Sequence, residues 1–443
     1  MSKAIKIKQI FLILLDIICF YIALLGLIFF RFHFSKIYGL EIHFNLFTIM
    51  LGPWLAIFYI VGLYEIRDLK DKKRQFQKFI SGIIVGSFIM VGFFYFVPDL
   101  KITPKINLLI FVVLFSIIDY FGRKIYAILI VGKLPRENAV LIGSGEAVED
   151  LENFLLKNPQ VGINLKKTVK DENGDIFKNF SDFLKSEKIH LIIISSRINK
   201  TSLASGSIAS AMGRGFRVKN IVEVYETIFR KIPLSEIDDF WIAENILNRR
   251  NAYQKIIRPF EIILSLLSLV IIIPVSLAIA LFIKISSPGS AFFSQIRVGK
   301  NQKNFVLWKF RTMKPDAEKS GPQWSKPGDS RVIPIGKILR LTHLDELPQI
   351  WNIIKGNLSF IGPRPERPEF VVKLEKQIPY YNLRHILRPG IAGWAQLNYR
   401  YGASVEESLE KLQYDLYYLK NRSLFLDAII IIKTIRRFFV PAQ

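Results

Sequence analysis

Four apolar runs in the first third of the chain, at about 9–30, 44–63, 79–97 and 105–121, constrain its fold more than any other feature. Each approaches the roughly 20 residues that a helix needs to cross the hydrocarbon core of a bilayer. Backbone amides in lipid must be satisfied within their own segment, so the runs predict four transmembrane helices. The first does not read as a cleavable signal peptide: its apolar run is too long and no small-residue cleavage site follows before Arg31. Basic residues precede the first run (Lys3, Lys6, Lys8), separate the second and third (Lys70, Lys72, Lys73, Arg74, Lys78) and follow the fourth (Arg123, Lys124, Lys133, Arg136). By the positive-inside rule both ends of this four-helix domain, residues 1–130, face the cytoplasm. Asp16 and Asp119 lie within or at the edge of the runs, where pairing inside the bundle is the simplest expectation.

A length of 443 residues and a hydrophobic content of 51% leave room for soluble domains as well. The 61 Lys and Arg against 37 Asp and Glu favour an anionic partner, and membrane segments make lipid headgroups or phosphorylated substrates better candidates than nucleic acid. Cys19 is the only cysteine and sits in an apolar run, which excludes a disulfide framework. The five histidines show no metal-ligand spacing, so no zinc centre is expected.

From about 137 to 240 short β-branched runs alternate with amphipathic segments, the signature of a small Rossmann-like α/β domain. AVLIGSGEAVEDLENFLLK reads as strand, glycine turn and helix, IHLIIISS as a buried parallel strand, and FRVKNIVEVYE as a further strand and turn. Gly143 and Gly145 resemble a dinucleotide-binding turn, but the third glycine and a later acidic residue are missing. A tight turn without cofactor is the preferred reading, with nucleotide or effector binding as the alternative.

The run Ile262–Ile283 is long enough for a fifth crossing, yet Lys255 and Arg258 precede it and Lys284, Arg297 and Lys300 follow it. The charge rule therefore finds cytoplasm on both sides. Pro274 removes a backbone donor at mid-segment, so the prediction for 256–285 is a re-entrant hairpin that dips into one leaflet and returns.

Most of the chemistry-bearing residues lie in the last third, in SQIRVG (294–299), WKFRTM (308–313), DSRV (329–332), RLTHLDELPQIWNIIKGNLSFIGPRPERPEF (340–370) and RPGIAGWAQLNYRYGAS (388–404). Helical spacing of Leu344, Leu347, Trp351 and Ile354 predicts an amphipathic helix ended by Gly356, with Asp345 and Glu346 in its first turn. Ionised carboxylates are favoured there and suit a nucleophile and a Mg²⁺ ligand. Lys309, Arg311, Arg340, Arg364, Arg367 and Arg400 surround the pair in sequence, several beside Gly or Pro. Guanidinium groups grip phosphate oxygens in a bidentate way, and a diphosphate needs several.

The motifs KFRTM, LDELPQIWN, GPRP and GWAQ, in this order and spacing, resemble the bacterial sugar transferase family of monotopic phosphoglycosyl transferases over about 251–443. The front half is similar to the large polyprenyl-phosphate hexose-1-phosphate transferases of exopolysaccharide and O-antigen synthesis. The resemblance implies a membrane protein of α plus α/β class: a four-helix transmembrane bundle, the Rossmann-like domain, and a mainly helical catalytic domain with the re-entrant hairpin. It further implies Asp345 as nucleophile, Glu346 as ligand of Mg²⁺, with Mn²⁺ as an alternative, and Arg340, Arg364 and Arg400 as contacts to phosphate or nucleotide; Lys309 and Arg311 join them as substrate-binding residues on the reading of the cations above. Lys255, Arg258 and Pro274 would belong to the hairpin, where the family commonly has an Asp at the position of Glu261. Donor and acceptor would be a UDP-sugar, with glucose or galactose favoured, and undecaprenyl or another polyprenyl phosphate. The enzyme would sit in the bacterial inner membrane with its catalytic domain on the cytoplasmic face, and a homodimer is compatible with this reading. A membrane-bound dehydratase or epimerase would need a Tyr-x-x-x-Lys pair in a second Rossmann domain; the one such spacing, Tyr120 and Lys124, lies at the exit of the fourth run. An inactive scaffold would have lost the acidic pair or the arginines, and both are present.

Overall fold

A computed structural model describes the chain except residues 1, 33–36, 66–71, 97–103, 134–136, 171–179, 198–212, 214, 248–251, 315–316, 318–328, 330, 400–403 and 440–443. It divides into two compact units, Met1–Ile228 and Phe229–Gln443.

The first unit opens with four long helices, α1 (Ser2–Phe32), α2 (Ile37–Val61), α3 (Lys72–Phe96) and α4 (Pro104–Lys133). Each contains a span of 18 to 25 residues long and apolar enough to cross a membrane. They pack around buried aromatic rings, among them Phe20, Phe47, Trp54, Phe58, Phe111 and Phe115. Trp54 meets Phe115 edge to face at 5.2 Å, the arrangement that ring quadrupoles prefer. The two aspartates pair inside this core as expected. Arg123 donates to Asp119 at 2.9 Å and to Asp16, and the Tyr64 hydroxyl donates to Asp16 at 2.7 Å. Arg123 thus lies within α4 rather than beyond it, because α4 continues through the apolar IYAILIV to Lys133. An apolar window ends at a charge even where a buried partner neutralises that charge. Lys78 likewise lies within α3, donating to the Gly62 carbonyl at 3.1 Å and pairing with Glu65. Two basic residues counted toward the orientation are therefore bonded inside the unit.

Next come β1 (Glu137–Ile142), α5 (Glu146–Lys157), β2 (Ile163–Val169), α6 (Phe180–Ser186), β3 (Leu191–Ile194), β4 (Arg217–Asn220) and α7 (Ile221–Phe229). The strands form one parallel sheet in the order β2-β1-β3-β4. Where a turn is predicted after β4, the chain forms α7, which buries Ile221, Val222, Val224, Tyr225 and Ile228. Gly143 has φ 138°, and a Cβ there would stand 2.3 Å from that of Ser195. Close approach of the β3 end requires this glycine with no ligand invoked.

The second unit contains α8 (Ala252–Ser286), the antiparallel pair β5 (Phe292–Val298) and β6 (Asn304–Phe310), α9 (Pro334–Leu341), a 3₁₀ turn (Leu344–Gln349), α10 (Ile350–Lys355) and β7 (Ser359–Ile361). It continues with α11 (Pro368–Gln377), β8 (Gly390–Ala392) parallel to β7, α12 (Trp394–Asn398), α13 (Val405–Asn421) and α14 (Leu424–Phe439). Residues 229–247 pack here: the Trp394 indole donates to the Arg230 carbonyl at 3.0 Å, and Lys231 pairs with Glu410 at 2.7 Å.

The helix α8 runs unbroken for 35 residues with both Pro259 and Pro274 inside it, so the interruption expected at Pro274 is not a break in helical structure. One missing amide donor is a local defect that a helix this long carries. Its inward face builds the core of the unit. Leu269 and Ile272 pack on Phe305, Leu307, Ile350, Ile353 and Leu358, and Ile279 and Ile283 pack with Phe310 and Leu339.

Candidate active site

Three backbone segments bring the acidic pair and its cations together: β6 carries Lys309, the 3₁₀ turn carries Asp345 and Glu346, and the turn after β7 carries Arg364. Asn352 fixes their register. Its amide donates to the Val306 carbonyl at 2.7 Å and its oxygen accepts from the Trp308 amide at 3.2 Å, pinning α10 to β6. The acidic pair precedes the α-helix instead of opening it, since α10 starts only at Ile350. Pro348 has no N–H to donate four residues back to Leu344, and the chain winds tightly until the proline is passed. Gly356 caps α10 at φ 85°, as its position predicts.

Both carboxylates are buried. Glu346 Oε1 accepts from Lys309 at 3.2 Å and from Arg364 at 3.0 Å. Burial alone would raise its pKa, but these two cations prevail and hold it at about 2. The charge that the helix end was expected to supply comes instead from side chains. Asp345 has no hydrogen bond or ion pair to its carboxylate among the described residues. Burial and the neighbouring Glu346 raise its pKa above the ordinary range, against the pull of Lys309. Burial also lowers the pKa of Lys309, an effect Glu346 opposes. The two adjacent carboxylates therefore differ: one is firmly ionised and tethered, the other desolvated and without a bond.

Of the remaining predicted residues, Arg340 donates to Thr312 at 2.9 Å and lies within the electrostatic reach of Asp345. Arg311 is buried and donates to the Pro288 and Ser287 carbonyls at 2.7 and 2.8 Å, which fastens the end of α8. The structure therefore brings together Lys309, Arg340, Asp345, Glu346 and Arg364, whereas the Arg311 side chain bonds to backbone carbonyls just past α8. Arg400 and the Lys255 side chain lie outside the described residues. Arg258 donates to the Ile354 carbonyl at 3.0 Å and pairs with Glu261 at 3.4 Å, so glutamate makes a contact here despite replacing the common Asp.

Arg384, not foreseen, is buried, donates to the Arg364 carbonyl at 3.0 Å and to Tyr381 at 2.6 Å, and forms an ion pair with Asp415 at 2.9 Å. It steadies the loop that presents Arg364. The same loop is locked against β8, since a Cβ on Gly390 would stand 2.1 Å from the Gly362 amide. Arg384 lies four residues before the RPGIAGWAQ motif, a position whose signal is visible only once that motif is seen to pack on GPRP.

No group of three or more potential metal ligands occurs among the described residues. A Mg²⁺ ion needs less, since it retains waters and takes one or two carboxylates plus substrate phosphates. The adjacent Asp345 and Glu346 fit that demand, because the bonds from Lys309 and Arg364 fall on Oε1 of Glu346 and none among the described residues falls on Oε2.

Residues 252–441 match the family model described as bacterial sugar transferase. The chain is 39% identical over 219 residues to the UDP-N-acetylgalactosamine-undecaprenyl-phosphate N-acetylgalactosaminephosphotransferase of Aeromonas hydrophila, covering 49% of this chain and 51% of that protein. It is 34% identical over 250 residues to the UDP-glucose:undecaprenyl-phosphate glucose-1-phosphate transferase of Escherichia coli (strain K12), covering 53% and 54%. It is 38% identical over 184 residues to the exopolysaccharide production protein PSS of Rhizobium leguminosarum bv. phaseoli, covering 40% of this chain and 92% of that protein. The chain thus spans about half the length of the first two relatives and nearly all of the third.

Proposed function

This chain belongs to the bacterial sugar transferase family, and from that premise we propose that it moves a sugar 1-phosphate from a UDP-sugar to polyprenyl phosphate, releasing UMP. The observation that carries this reading is the division of labour at 345–346: Glu346 is tied to Lys309 and Arg364, while Asp345 stands beside it, buried and unbonded. Donor diphosphate and acceptor phosphate are both anions, and a covalent intermediate keeps them apart in time. In the first step an Asp345 oxygen attacks the β-phosphorus, the bond from that phosphorus to the bridging oxygen breaks, and UMP leaves with the electron pair. Lys309, Arg340 and Arg364 stabilise the charge on the departing phosphate. In the second step an oxygen of polyprenyl phosphate attacks the same phosphorus, the acyl-phosphate bond breaks, and the Asp345 carboxylate is regenerated. Mg²⁺ or Mn²⁺, when bound through Glu346, supplies further neutralisation of the diphosphate.

The four N-terminal helices serve as a transmembrane bundle, and α8 re-enters the membrane rather than crossing it. Support for re-entry comes from the attachment of both ends of α8 to one catalytic unit. Arg258 near its start is held by Ile354, and Ile283 near its end packs on Phe310 and Leu339. Its apolar span of 31 residues also exceeds the roughly 20 that a straight crossing needs. The catalytic unit then works on the cytoplasmic face of the inner membrane, where nucleotide-sugars are made, in the initiating step of exopolysaccharide, capsule or O-antigen synthesis. Relatives differ in the sugar they name, N-acetylgalactosamine in one and glucose in another, so the hydroxyl pattern of the donor is the open variable.

The test is to incubate the purified protein with a panel of UDP-sugars, with and without undecaprenyl phosphate. Release of UMP without acceptor, together with a phosphosugar adduct mapped to Asp345 by mass spectrometry, is expected. Transfer that needs acceptor for the first UMP, with no adduct, would replace the two-step route by direct attack. A chelator should abolish transfer, and full activity in its presence would mean the cations of the protein suffice.

A further inference from the structure

A polar cavity in the C-terminal unit shares no lining residue with the acidic pair and its cations. Tyr253, Gln254, Glu261, Arg388, Arg422 and Asp427 line it. Its carboxylates are already satisfied. Glu261 is paired with Arg258 and accepts from Ser359, and Asp427 accepts from Tyr253 and, at 2.8 Å, from Tyr418. Its arginines are not. Neither Arg388 nor Arg422 has a hydrogen bond or ion pair with any described residue, and Arg422 Nη1 is buried without a partner. Among the described residues the neighbouring Lys300 ammonium is bonded only to the neutral Gln254 side chain, at 3.0 Å. Burial lowers the pKa of Arg388, Arg422 and Lys300; Arg258 adds to the effect on Arg388 and both arginines add to it on Lys300, while Glu261 opposes it at Arg388 and Asp427 at Arg422. A desolvated guanidinium without hydrogen-bond partners is costly even with carboxylates in electrostatic reach, and its planar fork matches the oxygens of a phosphate group.

The position of the cavity narrows the ligand. Tyr253, Gln254, Ile257 and Glu261 are the first turns of α8, where the apolar span Ile256–Ser286 begins. We propose that Arg388 and Arg422 bind the phosphate group of a lipid at the point where α8 meets the membrane. This rests on the interfacial placement of α8 proposed above and not on the transfer chemistry. The lipid is either an anionic phospholipid that seats the helix or the polyprenyl phosphate acceptor on its way to Asp345; the group recognised is the same.

The experiment uses the full chain in detergent, delipidated and exchanged with phosphatidylglycerol, diacylglycerol or undecaprenyl phosphate, with retained lipid read by native mass spectrometry. Wild type should retain the two phosphate-bearing lipids and not diacylglycerol, and Arg388→Gln with Arg422→Gln should lower retention by about tenfold or more. Asp345→Asn should retain lipid as wild type does while losing transfer, which separates this site from the chemistry. A rise in KM for undecaprenyl phosphate in the double variant, with kcat held, identifies the acceptor as occupant. An unchanged KM with phosphatidylglycerol lost identifies the seating phospholipid. If the double variant does not purify, Arg422→Gln alone, which removes the orphaned Nη1, gives the same readout. Equal retention of diacylglycerol and phosphatidylglycerol by wild type, or equal retention by wild type and variant, overturns the proposal.

Discussion

The two apolar regions, α1–α4 and α8, are alike in hydropathy and opposite in what they do with it. Within the four N-terminal spans, 33 to 39% of residues are buried in the protein; in α8 only 11% are. The first region turns its rings and its Asp16–Arg123–Asp119 cluster inward and forms a core of its own. The second leaves residues such as Val270, Ile271 and Ile285 more than 70% exposed and lends a narrow stripe to the catalytic unit. Self-packing helices need little from their surroundings. If, as proposed, the exposed face of α8 meets lipid while the other packs on the sheet beside the acidic pair, the helix couples membrane and active site, and perturbations should matter in proportion to their closeness to α8 and the sheet it supports.

The largest effect is expected at the 3₁₀ turn beside that sheet. Asp345→Asn should reduce transfer at least about a thousandfold, to background, by removing the nucleophile. Melting temperature and membrane extraction should remain those of wild type. Near-native turnover in this variant would detach the chemistry from the carboxylate that the geometry singles out.

The pH dependence sharpens the same point. Asp345 must be ionised to attack, and burial raises its pKa, so the acid limb of kcat/KM should lie above the range in which an ordinary aspartate titrates. Glu346, held at about 2, stays ionised throughout and contributes no limb there. Lys309, its pKa lowered by burial, should lose its charge as pH rises before an ordinary lysine would, giving the alkaline limb. An acid limb at the ordinary aspartate position would show that Asp345 is solvated in the working enzyme.

What the sequence makes legible follows the same division. Apolar runs and short β-branched strands are local signals, and the four N-terminal helices and the strands β1 and β3 follow from them. The acidic pair is legible through its motif, but its 3₁₀ conformation depends on the amide that Pro348 lacks. Arg123 escapes because a window of residues cannot show that Asp16, more than a hundred positions away, neutralises it. Arg384 and Asp415 escape for the same reason, since only the folded chain shows that they meet behind Arg364. The edge strand β2, INLKKTV, carries two exposed lysines and offers too weak an alternation to stand out.

A smaller effect is expected at the middle of α8. Pro274→Leu restores a backbone donor and favours a straight helix by up to about 3 kcal/mol. If α8 re-enters the membrane, straightening it pulls against its two attachments to the catalytic unit, and transfer should fall by about tenfold. Soluble-probe labelling of single cysteines at Gln254 and Ser287, with Cys19 replaced, should find both sites on the cytoplasmic side in the active wild-type background. Labelling of position 287 from outside in an active protein would make α8 a fifth crossing and remove the difference from α1–α4 on which the comparison depends.

The smallest effect should follow from the largest deletion. A chain beginning at Phe229 lacks α1–α4 and the parallel sheet but keeps every residue that contacts the acidic pair, so kcat should remain within about threefold of full length, with membrane binding through α8. The start point matters. Beginning at Arg250 instead removes the Arg230 carbonyl that satisfies the buried Trp394 indole, the Lys231–Glu410 pair, and the bond from the Ile232 amide to the Gln413 carbonyl. Trp394 lies in the motif that packs against the Arg364 loop, and a buried donor left without its acceptor costs about 1–3 kcal/mol. The shorter chain should therefore melt lower and lose activity on warming while the longer one does not. If both were inert yet folded, the N-terminal unit would have to take part in the reaction, and α1–α4 could no longer be regarded as a self-contained region.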